Sequence, residues 1–377
     1  MMEHFLITGM SRSGTTLLEK LLASHQELRV LSQPLPLLYR YFKQQFFYEI
    51  NYPETRYVLN DLFNEERYSH KDFRRFLSGY EISREEIDHL FKEMKNWEGQ
   101  WFKVTEIKKW LNTQETFRLI DFYTFFLDQY TNQKKILGTK EVLIEEFIPY
   151  LLENDVKVIQ LFRDPRDVIT SINFGDGPKY TGAHRPTLFH LRNWRKSVAI
   201  SNTYKNSKGL FRLKYEDLIS APHYTLAKIT EFLNVKPFEE NHFQDGIKTA
   251  DGKQWSGNSS TVNFNGINKN NKNKYLKKLS PSTIAYIEYT CAPEMQLLGY
   301  DLTDSENPDN FTPKRFVEPF ESEVDDIPKN FSTLPAQLAL EKERRNLLKS
   351  QNISVEKMTS YFFSEANYEI LKGVKHD

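Results

Sequence analysis

Two short segments of the chain carry residues suited to gripping an anion. The first is Gly9-Met10-Ser11-Arg12-Ser13-Gly14-Thr15-Thr16. The apolar run before it, Phe5-Leu6-Ile7-Thr8, predicts a short buried strand. After it, Leu17, Leu18, Leu21 and Leu22 fall on one helical stripe. A loop between strand and helix turns backbone N–H groups and the positive end of the helix toward a phosphate. Gly9 and Gly14 permit the close approach, and Thr15 and Thr16 add hydroxyl donors. The alternative is an ordinary glycine turn. The glycine spacing matches the triphosphate-binding loop, but that loop continues with Lys, where this chain has Thr15. The cation sits inside the loop instead, as Arg12. A small-molecule or nucleotide kinase on a P-loop-like scaffold predicts Lys at position 15 and an acidic strand end for a metal, and neither is present.

The second segment is Arg163-Asp164-Pro165-Arg166-Asp167-Val168-Ile169-Thr170-Ser171, which follows a buried strand predicted over 156–162. Arg163 ends that strand, where open α/β sheets bind ligands. Pro165 suits the first turn of a helix, and Ser171 lies further along it. Guanidinium and hydroxyl together make a phosphate grip; the alternative is a plain Arg163–Asp167 salt bridge.

The elements around these segments alternate strand and helix. A third strand is expected at 210–214, running into Tyr215-Glu216-Asp217-Leu218. The expected fold class is α/β: a central, mainly parallel sheet flanked by helices, a P-loop-like nucleotide-binding core with an aromatic-rich helical insertion over about 35–135. Within the insertion, Ser83 to Glu86 forms a capping box, and 117–130 is a dense apolar helix. The insertion covers the sheet and borders an acceptor pocket, or its rings are plain core. Residues 256–274 read as a loop. Ser280-Pro281 caps a helix ending near Gly299. Residues 1–300 are expected to form one domain, followed over 301–377 by a C-terminal extension of linker and short helix.

Composition excludes several classes. Lys plus Arg and Asp plus Glu both number 51 in 377 residues, so bulk charge points to no nucleic-acid or membrane partner. Cys291 is the one cysteine, so no internal disulfide forms, and it reads as a small apolar helix residue. The start of the chain reads as strand and loop rather than a secretory signal, and no apolar run of membrane-spanning length occurs. A cytoplasmic location is the expectation. No dense ligand spacing for a metal is seen.

In order, these motifs resemble the PAPS-dependent sulfotransferases, whose donor is 3′-phosphoadenosine 5′-phosphosulfate. Ser11 to Leu18 is similar to their 5′-phosphosulfate loop and Arg163 to Ser171 to their 3′-phosphate motif. Tyr215-Glu216-Asp217-Leu218 resembles their Tyr-Glu-Asp-Leu stretch, and Trp255 to Ile267 their late loop over the 3′-phosphate. Leu297-Leu298-Gly299-Tyr300 also resembles a family helix end. The resemblance implies sulfuryl transfer from PAPS to a hydroxyl or amine. It implies that Ser11, Arg12, Ser13, Gly14, Thr15, Thr16 and Leu17 hold the 5′ end, Arg163 and Ser171 the 3′-phosphate, Tyr215 the adenine, and Ser256, Gly257 and Asn258 the late loop. Arg12 takes the place of the catalytic cation, and Lys140 matches a second lysine of the tyrosyl-protein and carbohydrate branches.

One position departs from the pattern. Several branches place a Glu base 21 residues after the loop cation, where this chain has Gln33. An amide takes no proton, so the base is displaced or the acceptor needs little activation. Glu141, His184 and His190 are the candidates, with His184 preferred because Gly175, Gly177 and Gly182 suggest a mobile loop over the site. Gln33 also leaves open an inactive PAP- or PAPS-binding protein, PAP being the desulfated donor. The acceptor and the oligomeric state are not specified.

Overall fold

The computed structural model describes residues 3–50, 69–94, 114–130, 135–174, 185–248, 253–257, 266–303, 311–313, 316–320 and 330–374. The chain begins β1 (Glu3–Gly9), α1 (Thr15–Ala23), β2 (Leu28–Ser32) and α2 (Pro36–Glu49). The insertion continues with α3 (His70–Gly79), β3 (Glu81–Ser83), α4 (Arg84–Met94), β4 (Thr116–Arg118) and α5 (Leu119–Asp128). Then come β5 (Ile136–Lys140), α6 (Ile148–Glu153), β6 (Lys157–Phe162), α7 (Pro165–Asn173), α8 (Thr187–Thr203) and β7 (Leu210–Lys214). Helices α9 (Tyr215–Ser220), α10 (Pro222–Leu233), α11 (Tyr275–Lys278) and α12 (Pro281–Leu297) follow, and α13 (Pro335–Lys349), α14 (Val355–Phe362) and α15 (Glu365–Lys372) end the described chain.

Five strands form one parallel sheet in the order β2-β5-β1-β6-β7, and β3 and β4 make a separate antiparallel pair. This is the expected α/β class. Strand β1 is apolar without alternation because both of its faces are covered. Phe5 and Ile7 pack with the α1 and α10 side, and Leu6 with the insertion on the other side. From β1 the chain goes to the sheet edge, returns to β5, then crosses β1 to reach β6 and β7. The C-terminal end of β1 is therefore the point where strand order reverses, where such sheets form a crevice.

The register gathers the strand ends. Ile7 and Ser32 both stand opposite Lys140, Gly9 opposite Leu161, and Phe162 opposite Lys214. The central glycine of β5 reflects tight packing: a Cβ on Gly138 would lie 2.5 Å from the Phe5 ring. Many of the described insertion rings are core: Phe122, Tyr123 and Phe126 are at most 1% exposed, and Phe46 meets Phe73 edge-on and Phe76 at a tilt. Cys291 is fully buried on α12 and its thiol is pushed up by burial. Among the described residues no helix is long and apolar enough to cross a membrane.

The end of the chain differs from the linker and single short helix expected of it. Helix α13 is followed by α14 and α15; α15 packs onto α8, α12 and α13, and α14 packs against α15, around Leu347, Leu348, Phe362, Tyr368 and Leu371. The joint is also ionic. Glu341 on α13 accepts from Arg192 Nε at 2.9 Å and from Arg195 at 2.6 and 3.0 Å, with all three side chains buried. Polar residues such as these carry no hydrophobic period, so the sequence shows only a short charged helix. The two guanidiniums outweigh desolvation and hold the Glu341 carboxyl down to about 2.

Removing Glu341 leaves two buried cations uncompensated. Glu341→Gln is expected to cost about 3–5 kcal/mol in denaturant unfolding at neutral pH. Because the folded value is depressed, this stability is present above the ordinary value of 4.5 and is lost as pH falls toward about 2. The gap between wild type and variant should close over that window.

Candidate active site

The loop between β1 and α1 is built for a tight turn. Ser13 N–H donates to the Met10 carbonyl at 3.1 Å, and Arg12 takes a left-handed φ of +71°. Helix α1 begins at Gly14 with φ +98° and no side-chain cap. The first-turn N–H groups of a helix have no intrahelical acceptor, so Thr15, Thr16 and Leu17 carry donors at the crevice. Gly14 is required twice: its φ disfavours a side chain, and a Cβ there would run into the Tyr215 ring. Ser13 is 1% exposed, and its Oγ has no hydrogen-bond partner among the described residues.

Arg163 stands at the end of β6, 3% exposed. It donates to the Arg12 carbonyl at 3.2 Å and to the Asn271 carbonyl at 3.1 Å, and its guanidinium lies 4.6 Å from the Tyr215 ring centre. Its own carbonyl accepts from the Trp194 indole at 2.9 Å. A plain salt bridge does not describe it. Asp167 is 4.0 Å away and spends its carboxylate on the N–H groups of Asn273 and Tyr275, at 2.7 and 3.2 Å. Arg163 Nε is buried with no partner. Buried donors without partners are uncommon and costly, and both of these border the same crevice. Arg166, the other arginine of the segment, is structural: it binds Asp164 and Glu288 at 2.6 Å each.

The two halves meet through Arg12, whose Nε donates to Ser171 Oγ at 3.0 Å. The loop cation thus points toward the expected 3′-phosphate residue. On the other side of β1, Lys140 Nζ donates to Gln33 Oε1 at 2.8 Å, and Gln33 N–H donates to the Lys140 carbonyl at 2.8 Å. Gln33 has φ +45°, a left-handed conformation that costs a non-glycine residue of order 1 kcal/mol or more. Burial favours the neutral form of Lys140, against the charges of Glu19 and Glu141. Burial likewise raises Glu141, whose Oε1 accepts the Leu35 N–H at 2.8 Å before α2.

Not every expected residue is brought here. Tyr215 is 4% exposed; its ring supports Gly14 and Arg163, and its hydroxyl accepts from Asn271 Nδ2 at 2.7 Å. Ser256 is exposed and Gly257 half-buried, while Asn258 and His184 lie outside the described residues. His190 is buried on α8 one turn before Trp194. Asn271 went unnoticed in the sequence: it sits in an asparagine and lysine run from Asn268 to Lys274 where nothing marks one residue. Glu216 was read only as part of a motif. It accepts the Asp164 N–H and the Tyr300 hydroxyl, both at 3.0 Å, tying the Arg163 turn to the end of α12. Among the described residues no cluster of three or more His, Cys, Asp or Glu has metal-binding geometry.

Comparison with known proteins gives two findings. The model of the sulfotransferase family matches residues 5–240. Among solved structures, the chain is similar to a sulfotransferase domain from the curacin biosynthetic pathway at 20% identity, covering 80% of this chain and 99% of that one with a TM-score of 0.47. It is similar to a sulfotransferase domain of the Synechococcus PCC 7002 olefin synthase at 18% identity, 80% and 96% coverage, and a TM-score of 0.49. It is also similar to retinol dehydratase in complex with androsterone and the inactive cofactor PAP at 14% identity, 80% and 82% coverage, and a TM-score of 0.35. No curated protein matches the chain.

The Gly14–Tyr215 contact makes its own prediction. Gly14→Ala introduces both left-handed strain and a steric clash, and is expected to destabilise the protein by about 1–3 kcal/mol. Thermal unfolding checks it; a melting temperature equal to wild type would show that the loop is not seated against Tyr215.

Proposed function

Since the chain belongs to the sulfotransferase family, and is therefore a transferase, we propose that it moves a sulfuryl group from PAPS to a hydroxyl or amine acceptor. The observation that carries this reading is the Arg12–Ser171–Arg163 junction. An uncapped helix start, a loop arginine and a strand-end arginine converge there, with buried donors on Ser13 and Arg163 left without partners.

The residues fit the donor. Backbone N–H groups at Gly14, Thr15 and Thr16, with the Ser11 and Ser13 hydroxyls, suit its 5′ end; Arg163 and Ser171 suit its 3′-phosphate. Tyr215 serves by bracing Arg163 and Asn271 beneath the nucleotide rather than by offering an open ring face. Ser171 Oγ accepts from Arg12 Nε and offers its own hydrogen to the 3′-phosphate, so Arg12 and Ser171 face the donor as one unit. Lys140, on the opposite side, faces the acceptor end. Charge builds on the bridging oxygen as it leaves, and fixed cations stabilise it without reorganising. In-line geometry and positioning carry the rest of the rate. No step calls for a metal. Residues 1–300 form the transferring unit in this reading, and the C-terminal helices brace α8. Gln33 favours one second reading, a protein that binds PAP without turnover.

A labelled-PAPS screen against acceptor extracts, run beside PAP calorimetry, separates the two: binding without any labelled product supports the second. Arg163→Ala is expected to weaken PAP by about 10–100-fold, the worth of a charged hydrogen-bond pair; a pure rate effect at intact affinity contradicts its assignment. Lys140→Ala should retain PAP affinity and lower turnover by about 100–1000-fold. A wild-type rate in that variant removes Lys140 from the reaction.

A further inference from the structure

The sulfotransferase reading leaves one proton unassigned, and this inference rests on that reading. An acceptor hydroxyl must shed its proton as its oxygen bonds to sulfur. Gln33 takes none. Glu141 is 1% exposed, is driven toward its neutral acid form by burial, and has Oε1 committed to the Leu35 N–H.

A second carboxylate lies against the same corner. Glu19 sits one turn into α1, directly below the anion loop, and is only 2% exposed. A buried carboxylate is costly unless it is paired and hydrogen-bonded. Lys20 Nζ holds Oε1 at 2.8 Å, and the Ser32 hydroxyl donates to Oε2 at 3.0 Å. Ser32 ends β2 directly before Gln33 and stands opposite Lys140 in the parallel ladder. It is half-buried where Glu19 is buried. Of the charges around Lys140, that of Glu19 acts most strongly to keep it an ammonium. Glu19, Ser32, Gln33 and Lys140 thus form one polar unit at the acceptor side of the loop.

We propose that Ser32 and Glu19 accept the proton of the acceptor hydroxyl by relay. As the acceptor oxygen bonds to sulfur, the bridging S–O bond breaks and its electron pair leaves on the 5′-phosphate of PAP. The acceptor proton moves to Ser32 Oγ while the Ser32 hydroxyl proton moves to Glu19 Oε2. Lys20 Nζ holds the other oxygen at 2.8 Å, which leaves Oε2 turned to Ser32. The proton returns to solvent through Ser32 once product has left. Glu19 acts through Ser32 and touches no substrate, so it is a positioning and proton-accepting residue. Gln33, with no proton to exchange, orients Lys140.

The test uses the full chain and labelled PAPS, with water and then 4-nitrophenol as the hydroxyl. Nitrophenol is largely ionised in mildly alkaline buffer and needs no proton acceptor. Ser32→Ala, which leaves the Glu19 charge beside Lys140, is expected to lower transfer to water about 100-fold and to change transfer to nitrophenolate less than about threefold; Glu19→Gln is expected to lower transfer to water at least as much. PAP affinity by calorimetry and the unfolding midpoint stay at wild type, and Glu19→Asp regains part of the lost rate. Wild-type hydrolysis in both variants, or an equal loss with both hydroxyls in Ser32→Ala, overturns the relay. If Glu19→Gln does not fold, Ser32→Ala, which leaves the Glu19–Lys20 pair in place, decides the matter alone. A wild-type protein that binds no PAP and turns over neither hydroxyl sinks the sulfotransferase reading instead, and the two failures are told apart by the calorimetry.

Discussion

Arg163 is a buried guanidinium that the rest of the site is arranged to satisfy. Its donors reach the carbonyl of Arg12 in the loop and that of Asn271 in the late turn, its plane lies over Tyr215, and its own carbonyl receives the indole of Trp194. Its side chain holds three segments far apart in sequence, and its backbone carbonyl holds a fourth. Burying a cation is costly unless its donors are satisfied, and with Nε already without a partner, drift of the loop or the late turn would add to that cost. The anion site is therefore shaped by contacts made within the protein. Donors aimed in advance cost no reorganisation when charge develops.

The Lys140 side of β1 is organised by a different rule. Lys140 and Gln33 bind each other through both side chain and backbone, and the left-handed φ of Gln33 is retained because these two bonds over-determine it. Glu141 caps the start of α2, and Glu19 ties α1 to the end of β2. The two cations thus sit on opposite sides of β1, Arg12 toward Ser171 and Lys140 toward Gln33. This division fits a reaction with a nucleotide at one end and an acceptor at the other.

The C-terminal helices hold the scaffold from behind. Helix α8 carries Trp194 toward Arg163 on one face and Arg192 and Arg195 toward Glu341 on another. Arg344 continues the cluster to Glu294 on α12. Buried ion clusters are weak sources of net stability but tolerate few arrangements. They keep α8 in one rotation, and with it the indole that caps the Arg163 carbonyl.

Several features were legible in the sequence because they are local. A glycine-bounded turn between an apolar run and a leucine stripe predicts strand, loop and helix. Val156 to Phe162 announces a buried strand by composition and Leu210 to Lys214 a further strand, and Ser83 and Ser280 announce helix starts by their caps. Strands β2 and β5 were not legible, since Leu28–Ser32 and Ile136–Lys140 are short and mixed. The partners of the charged residues were equally hidden. That Asn271 meets Tyr215, that Asp167 turns from Arg163 to a backbone loop, that Glu19 is buried and that Glu341 is ion-paired all depend on segments brought together from far along the chain. Periodicity and capping report on neighbours within a few residues. Which polar groups share a low-dielectric corner is decided only when the sheet order is set and burial forces each charge to find a partner.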